Sequence, residues 1–186
     1  LKGLKMEIDI DLHPKQGQAL LTEATETLYG GAAGGGKSHL MRCLAIILCM
    51  FVPGVQVYLF RRKFGDLYKN HMEGPTSFLA MLAPYIKSKA VKYNSSKNTL
   101  TFWNGSKVHL CHLQHTKDLM NYQGAEIHVL LVDELTHFLE KEYRYLRNRV
   151  RLGGLEIEDE EIIGGFNPKL KLPLILAGSN PGGIGH

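Results

Sequence analysis

Four apolar runs and one change of rhythm organise this chain. "KSHLMRCLAIILCMF" (37–51) repeats its apolar positions at helical spacing and is closed by "VPG". "VQVYLFRR" (55–62), "IHVLLVDE" (127–134) and "PLILAGSNPGG" (173–183) are short apolar runs that read as buried strands, the last two of the kind found inside a parallel sheet. "TETLYGG" (25–31) is a shorter strand ahead of the long helix. Residues 64 to about 88 read as helical, broken by Gly74 and Pro75. In "AVKYNSSKNTLTFWNGSKVHLCHL" (90–113) the period drops to two around "SSKN" and "NG", which predicts an antiparallel meander. "THFLEKEYRYLRNRVRL" (136–152) predicts one basic amphipathic helix.

Apolar strands alternating with helices give an α/β fold, with a mostly parallel central sheet flanked by helices and a small antiparallel meander. In such sheets ligands bind beyond the C-terminal ends of the strands. The glycines after "TETLY", Arg61 with Arg62, Asp133 with Glu134, and Ser179 with Asn180 all fall at strand ends. Four polar clusters are thereby brought to one edge.

Composition adds bounds. At 186 residues, 44% apolar and 22% charged, the chain suits one globular domain spanning 1–186. Its net charge of +4 permits a polyanionic partner without demanding one. Cys43, Cys49 and Cys111 are an odd, unpaired set that reads as reduced thiols. "CLAIILCMFV" is too short to span a bilayer, so no membrane partner is expected.

The stretch "YGGAAGGGKSHL" (29–40) carries the clearest chemistry, because Gly31, Gly36, Lys37 and Ser38 fit G-x-x-x-x-G-K-[ST]. Residues without side chains let backbone N–H groups curl around an anion at a helix N-terminus. The candidate nucleotide-binding set is therefore Gly31, Ala32, Ala33, Gly34, Gly35, Gly36, Lys37, Ser38 and His39, with Gln16 a candidate for the adenine edge. Lys37 is placed to bridge the outer phosphates of ATP and Ser38 to hold Mg²⁺. Asp133, an acid at the end of a buried strand, is the second candidate metal ligand, and Glu134 is positioned to deprotonate a water. Arg61 and Arg62 are candidates for contact with phosphate or DNA, or for a plain strand cap. Asn180 is a candidate γ-phosphate sensor. His109, Cys111, His112 and His115 lack the paired spacing of a zinc site, and "EIEDEE" (156–161) reads as a solvated loop.

"HPKQ", "ETLYGGAAGGGKS", "LFRRKFGDL", "FWNGSKVHLCHL", "YQGAEIHVLLVDE", "YRYLRNRVR" and "LAGSNPGG" stand in the order seen in large terminase subunits of tailed bacteriophages, and nearly the whole chain resembles that family. The resemblance implies a RecA-like P-loop ATPase domain with an additional strand between the loop and the DE strand. It implies an ATP- and Mg²⁺-dependent motor that drives double-stranded DNA into a procapsid. The partners it implies are a homo-oligomeric ring of subunits, the portal protein and a small terminase subunit. The implied place is the host cytoplasm, docked transiently on the portal and absent from the mature virion. Gln16 then matches the adenine-side glutamine, and Gly178, Ser179 and Asn180 match the segment coupling hydrolysis to movement. Two departures stand out. Ala33 occupies a place where many family members carry an arginine, so Arg147, Arg149 or Arg151 becomes the candidate finger, with Arg149 preferred and acting on a neighbouring subunit. No stretch matches the family's nuclease domain, so ATP hydrolysis is expected without DNA cleavage. The competing readings are another RecA-like nucleic-acid motor of the helicase kind, or a nucleotide-gated assembly module with little turnover.

Overall fold

The computed structural model describes residues 10–31, 34, 36–157, 167 and 171–180. Strands β1 (Glu26–Gly30), β2 (Gln56–Arg61), β3 (Val91–Asn94), β4 (Thr99–Phe102), β5 (Lys107–His112), β6 (Val129–Val132) and β7 (Leu174–Ser179) form one sheet. Their order is β1-β7-β6-β2-β5-β4-β3. In that order the first five strands are mutually parallel, while β4 is antiparallel to both β5 and β3. This is the RecA-like arrangement with the additional strand: β7 separates β1, which leads into the glycine loop, from β6, which ends at Asp133. The predicted meander is present with one modification, since β5 also pairs in parallel with β2 from Gln56↔Lys107 to Arg61↔His112. Period-two alternation is the same in both kinds of pairing, so only the partner distinguishes them.

Alternation assigns the two faces. Val57, Leu59, Leu100, Val108, Leu110, Val129, Leu131 and Leu176 point into the larger core. There they meet α2 (Lys37–Phe51), α3 (Phe64–His71), α4 (Phe78–Met81) and α5 (Ala83–Lys87). Helix α2 is buried almost throughout, as a continuous apolar run requires, and it contains Cys43 and Cys49, two of the three buried thiols. Phe60, Leu130, Val132, Ile175 and Ala177 point the other way, to a smaller core closed by Phe138 and Leu146. Helix α1 (Pro14–Leu21) packs beside α2.

The long basic helix expected over 136–152 is not formed. Glu134 takes a left-handed backbone, Leu135–His137 make one 3₁₀ turn, and Phe138 is extended. The helix, α6, is confined to Glu140–Arg147. The reason is local: Phe138 is buried in the smaller core, and the Glu142 side chain accepts from the Leu139 N–H at 2.9 Å, capping the helix there. Arg149 and Arg151 therefore lie past the helix end. Among the described residues no helix is long and apolar enough to cross a membrane.

Candidate functional site

Gly36, the residue before α2, sits at φ 69°, a left-handed backbone that costs glycine little. It delivers Lys37 and Ser38 to the first turn of α2, at the C-terminal edge of the sheet. Lys37 Nζ donates to the Gly31 carbonyl at 2.9 Å, folding across the mouth of the loop. Ser38 Oγ donates to Asp133 Oδ2 at 3.1 Å, joining two motifs 95 residues apart. Gly178 on β7 packs against the first turns of α2, where a Cβ would lie 3.0 Å from Met41 Cε and in ordinary contact, 3.5 Å, with Lys37 Cβ. Ala32, Ala33 and Gly35 lie outside the described residues, as do 158–166, which hold most of the acidic run.

Asp133 is 2% exposed and collects three donors on one oxygen: Ser38, Arg61 NH1 at 3.1 Å and His71 Nε2 at 3.0 Å. Burial works against its charged form, but the hydrogen bond from His71, the charge of Arg61 and the Ser38 hydroxyl together hold the carboxyl below its ordinary range. Arg61 also donates from NH2 to Glu134 Oε1 at 3.0 Å, so one guanidinium forks across both acids. Glu134 Oε2 is 3.2 Å from His137 Nε2. The left-handed backbone of Glu134, φ 59°, is a strained conformation for a non-glycine residue, worth about 1–3 kcal/mol, of the kind that concentrates at reactive positions.

Two participants were not singled out from the sequence. His71, fully buried, faces Asp133 through Nε2 and Arg42 NH1 through Nδ1 at 3.4 Å. Burial above all lowers its pKa, so it stands as a neutral ring whose Nε2–H donates to the carboxylate. Arg42, 4% exposed, ties the last turn of α3 to the segment after it by donating to the Asn70 carbonyl at 2.8 Å and to Thr76 Oγ1 at 3.2 Å. Its appearance early in an otherwise apolar helix is the signal that could have found it, because a buried guanidinium needs partners.

Around these groups lie two adjoining clefts. One, about 360 Å³, is lined by Gly36, Lys37, Ser38, Asp133, Glu134 and Asn180 among others. The second, about 460 Å³, shares Gly36, His39 and Thr76 with it and adds His13 and Gln16. Gln16 is held rigidly there, Oε1 accepting from the His13 N–H and Nε2 donating to the Gly36 carbonyl, both at 2.8 Å. Asn180 Oδ1 is buried at the first cleft with no hydrogen-bond partner among the described residues, while Ser179 Oγ donates to the Asn180 carbonyl at 2.9 Å.

The remaining candidates lie elsewhere. Arg62 reaches the fully buried Glu142 at 2.7 Å, a clamp between the end of β2 and α6 that leaves it away from the clefts. Arg147 pairs with Glu26 at 2.8 Å. Arg149 stacks over the Tyr145 ring, 4.8 Å from its centroid. Val150 bridges to Ile127, at the start of the strand whose far end is Asp133. Six residues of extended chain separate Ile127 from Asp133, about 20 Å, so Arg149 cannot serve the site of its own chain. A larger cavity of about 720 Å³, between Gln56, Glu126, His128 and Leu155, also opens at that opposite edge and contains none of the motif residues.

The family described as terminase large subunit, T4likevirus-type, N-terminal, matches residues 28–157. Among solved structures, the large terminase of a thermophilic bacteriophage superposes with a TM-score of 0.61 at 16% identity, over 90% of this chain and 39% of that one. That protein has also been solved with ATP-γ-S and with ADP. The ATPase domain of the Thermus phage P74-26 large terminase gives a TM-score of 0.58 at 14% identity, over 93% of this chain and 66% of that one. The N-terminal domain of the DNA-packaging ATPase of bacteriophage phi29 gives 0.53 at 14% identity, over 91% and 82%. No curated protein sequence matches. The chain thus spans about two fifths of the first of these proteins, the thermophilic-phage terminase.

Proposed function

The chain belongs to the terminase large-subunit family, T4-like type, N-terminal part, and from that premise we propose that it hydrolyses ATP with Mg²⁺ to move double-stranded DNA into a phage procapsid. One observation carries the reading. The Ser38 hydroxyl donates directly to the Asp133 carboxylate, with Lys37 and Glu134 on the same cleft. A hydroxyl and a carboxylate brought together from motifs 95 residues apart are the oxygen donors that Mg²⁺ takes, and the two adjoining clefts have room for a nucleotide. Ser38 and Asp133 would hold the ion, and Mg²⁺ bound there would neutralise charge on the transferred phosphoryl group.

The chain's own residues then have distinct tasks. Lys37 exchanges the Gly31 carbonyl for phosphate oxygens, and the loop N–H groups with the α2 N-terminus add positive potential. His39 and Gln16 line the base-side cleft. Glu134 takes a proton from the attacking water, which requires its ion pair with Arg61 or with His137 to open. Arg61, once released from Glu134, is a cation beside both acids and offers the positive charge that a loop with Ala33 in it does not supply. Asn180, on the wall of the same cleft, reports the phosphate state to β7 by donating its side-chain N–H to a phosphate oxygen. Arg149, at the opposite edge, completes the site of a neighbouring subunit in a ring. The portal and a small terminase subunit are the partners this role requires, and the host cytoplasm is its place.

The test is phosphate release from ATP with and without Mg²⁺. Turnover is expected to need Mg²⁺, to disappear in Lys37→Ala with loss of nucleotide binding, and to fall in Asp133→Asn with binding of ATP retained in the absence of metal. Metal-independent turnover, or full activity in Asp133→Asn, overturns the assignment.

A further inference from the structure

We propose that the outer face of the β3–β4–β5 ribbon is the surface that grips the phosphate backbone of duplex DNA. This rests on the reading of the chain as part of a DNA-packaging motor and names the residues that would carry the contact.

The charge distribution is the first observation. Residues 74–117 contain six lysines and no aspartate or glutamate, leaving sixteen of the 22 basic side chains to face all eighteen acidic ones elsewhere. From the sequence the basic residues look scattered. The fold gathers them.

Face assignment is the second. Val91, Leu100, Phe102, Val108 and Leu110 point into the larger core. Lys92, Thr101 and Lys107 therefore point the other way, in one row across three strands, with Lys92↔Thr101 and Thr101↔Lys107 as cross-strand neighbours. Helices α2 to α5 cover the opposite face, and the smaller core reaches only as far as Cys111 on β5. Lys97, in the β3–β4 turn, borders a groove of about 390 Å³ on this face, together with Asn98, Tyr58, His109 and Tyr122, and among the described residues no carboxylate lines it. The His109 ring lies flat on Tyr58, 4.3 Å between centroids, paving the groove. Among the described residues no ion pair involves Lys92, Lys97 or Lys107.

An ordinary role for lysine on a sheet is to guard an exposed edge against pairing with another chain. That accounts for Lys92 on β3, the edge strand. It does not account for Lys107, because β5 is paired on both sides, nor for Lys97 in a turn. A face of cations with no acid among the described residues beside them matches a regularly spaced polyanion, which holds such side chains by releasing condensed counterions.

The experiment is a fluorescence-anisotropy titration of the whole chain with a labelled duplex of about 30 base pairs, between 50 and 200 mM salt. It compares the wild type, Lys92→Gln/Lys97→Gln/Lys107→Gln, and a control carrying Lys15→Gln/Lys69→Gln/Lys141→Gln, three exposed lysines outside the ribbon. The slope of log K against log salt is expected to flatten by about 2.7 in the ribbon variant, roughly 0.9 for each phosphate no longer neutralised, with affinity at least about tenfold weaker at 0.1 M. The control keeps the wild-type slope. Equal losses in both variants, a wild-type slope in the ribbon variant, or no salt-dependent duplex binding by the wild type overturns the proposal, as does equal binding of anionic lipid vesicles by the wild type and the ribbon variant with no duplex bound. ATP turnover, measured on the same samples, is expected unchanged in the ribbon variant. A failure of the ATPase reading shows in that turnover, and a failure of the DNA surface shows in the titration.

Discussion

Arg61→Met removes the one side chain among the described residues that touches both acids, while keeping an apolar stem of similar length. The guanidinium donates to Asp133 at 3.1 Å and to Glu134 at 3.0 Å. Breaking a buried pair costs about 3–5 kcal/mol when the remaining charge has no other partner. Here Asp133 keeps Ser38 and His71, and Glu134 keeps His137 and is 22% exposed. The loss is therefore expected nearer to that of hydrogen bonds to charged groups, about 2–3 kcal/mol. For a domain of this size each kcal/mol moves Tm by about 2–4 °C, so a fall of roughly 4–12 °C is expected in differential scanning fluorimetry. The variant leaves two carboxylates side by side without their shared cation. Added Mg²⁺ should consequently raise its Tm by more than it raises that of the wild type. ATP turnover should fall by about 100-fold, because the site loses the cation that Arg61, once released from Glu134, offers to the transferred phosphate. A Tm within about 1 °C of the wild type, together with no greater response to Mg²⁺, refutes the electrostatic reasoning.

Further outcomes follow from other residues. His71→Ala removes a donor from Asp133 and should weaken apparent Mg²⁺ affinity by about 10–100-fold, whereas His71→Gln, which keeps an amide donor, should restore most of it; equal loss in both would mean that the ring acts only by filling space. Burial first, and then Lys107, push the His109 pKa down from 6.5 to about 4. The unfolded chain thus binds the proton more readily, so this contribution to stability is complete above pH 6.5 and is lost as pH falls toward 4. Urea midpoints should drop across that window by the equivalent of up to about 3 kcal/mol, and His109→Gln should flatten the drop; parallel slopes would remove His109 from the explanation. The acid limb belonging to Asp133, whose pKa is depressed, begins lower, below its ordinary 3.8. For Arg149, specific ATPase activity should climb with protein concentration and collapse in Arg149→Ala. Mixing Arg149→Ala with Glu134→Gln should recover part of the activity, since one supplies intact acids and the other an intact finger. No recovery and a concentration-independent rate would exclude action between subunits.

The chemistry written in fixed local spacing was legible. Gly31 to Ser38 and the pair Asp133–Glu134 needed only strand-loop-helix context, and the fold placed Ser38 against Asp133 as that context required. The additional strand could be read only through a family resemblance, since nothing local in "PLILAGS" says that it inserts between β1 and β6. The Arg61 fork and the His71 contact were not legible, because each joins residues more than 60 positions apart with no repeating pattern between them. The helix after Glu134 reads too long from sequence for a physical reason: amphipathic spacing continues through 136–152, but Phe138 gains more from burial in the smaller core than from helical backbone. The basic face is invisible in the sequence because Lys92 and Lys107 come into one row, on either side of Thr101, only through strand pairing, and Lys97 joins their face only through the turn between β3 and β4.

The most direct measurement is single-turnover phosphate release from Mg·ATP by the wild type and by Glu134→Gln, alongside ATP affinity of each. If Glu134 is the base, the variant binds ATP about as tightly as the wild type and releases phosphate about 100 to 10,000 times more slowly. Equal release rates in the two proteins would contradict the assignment of the reaction to this site.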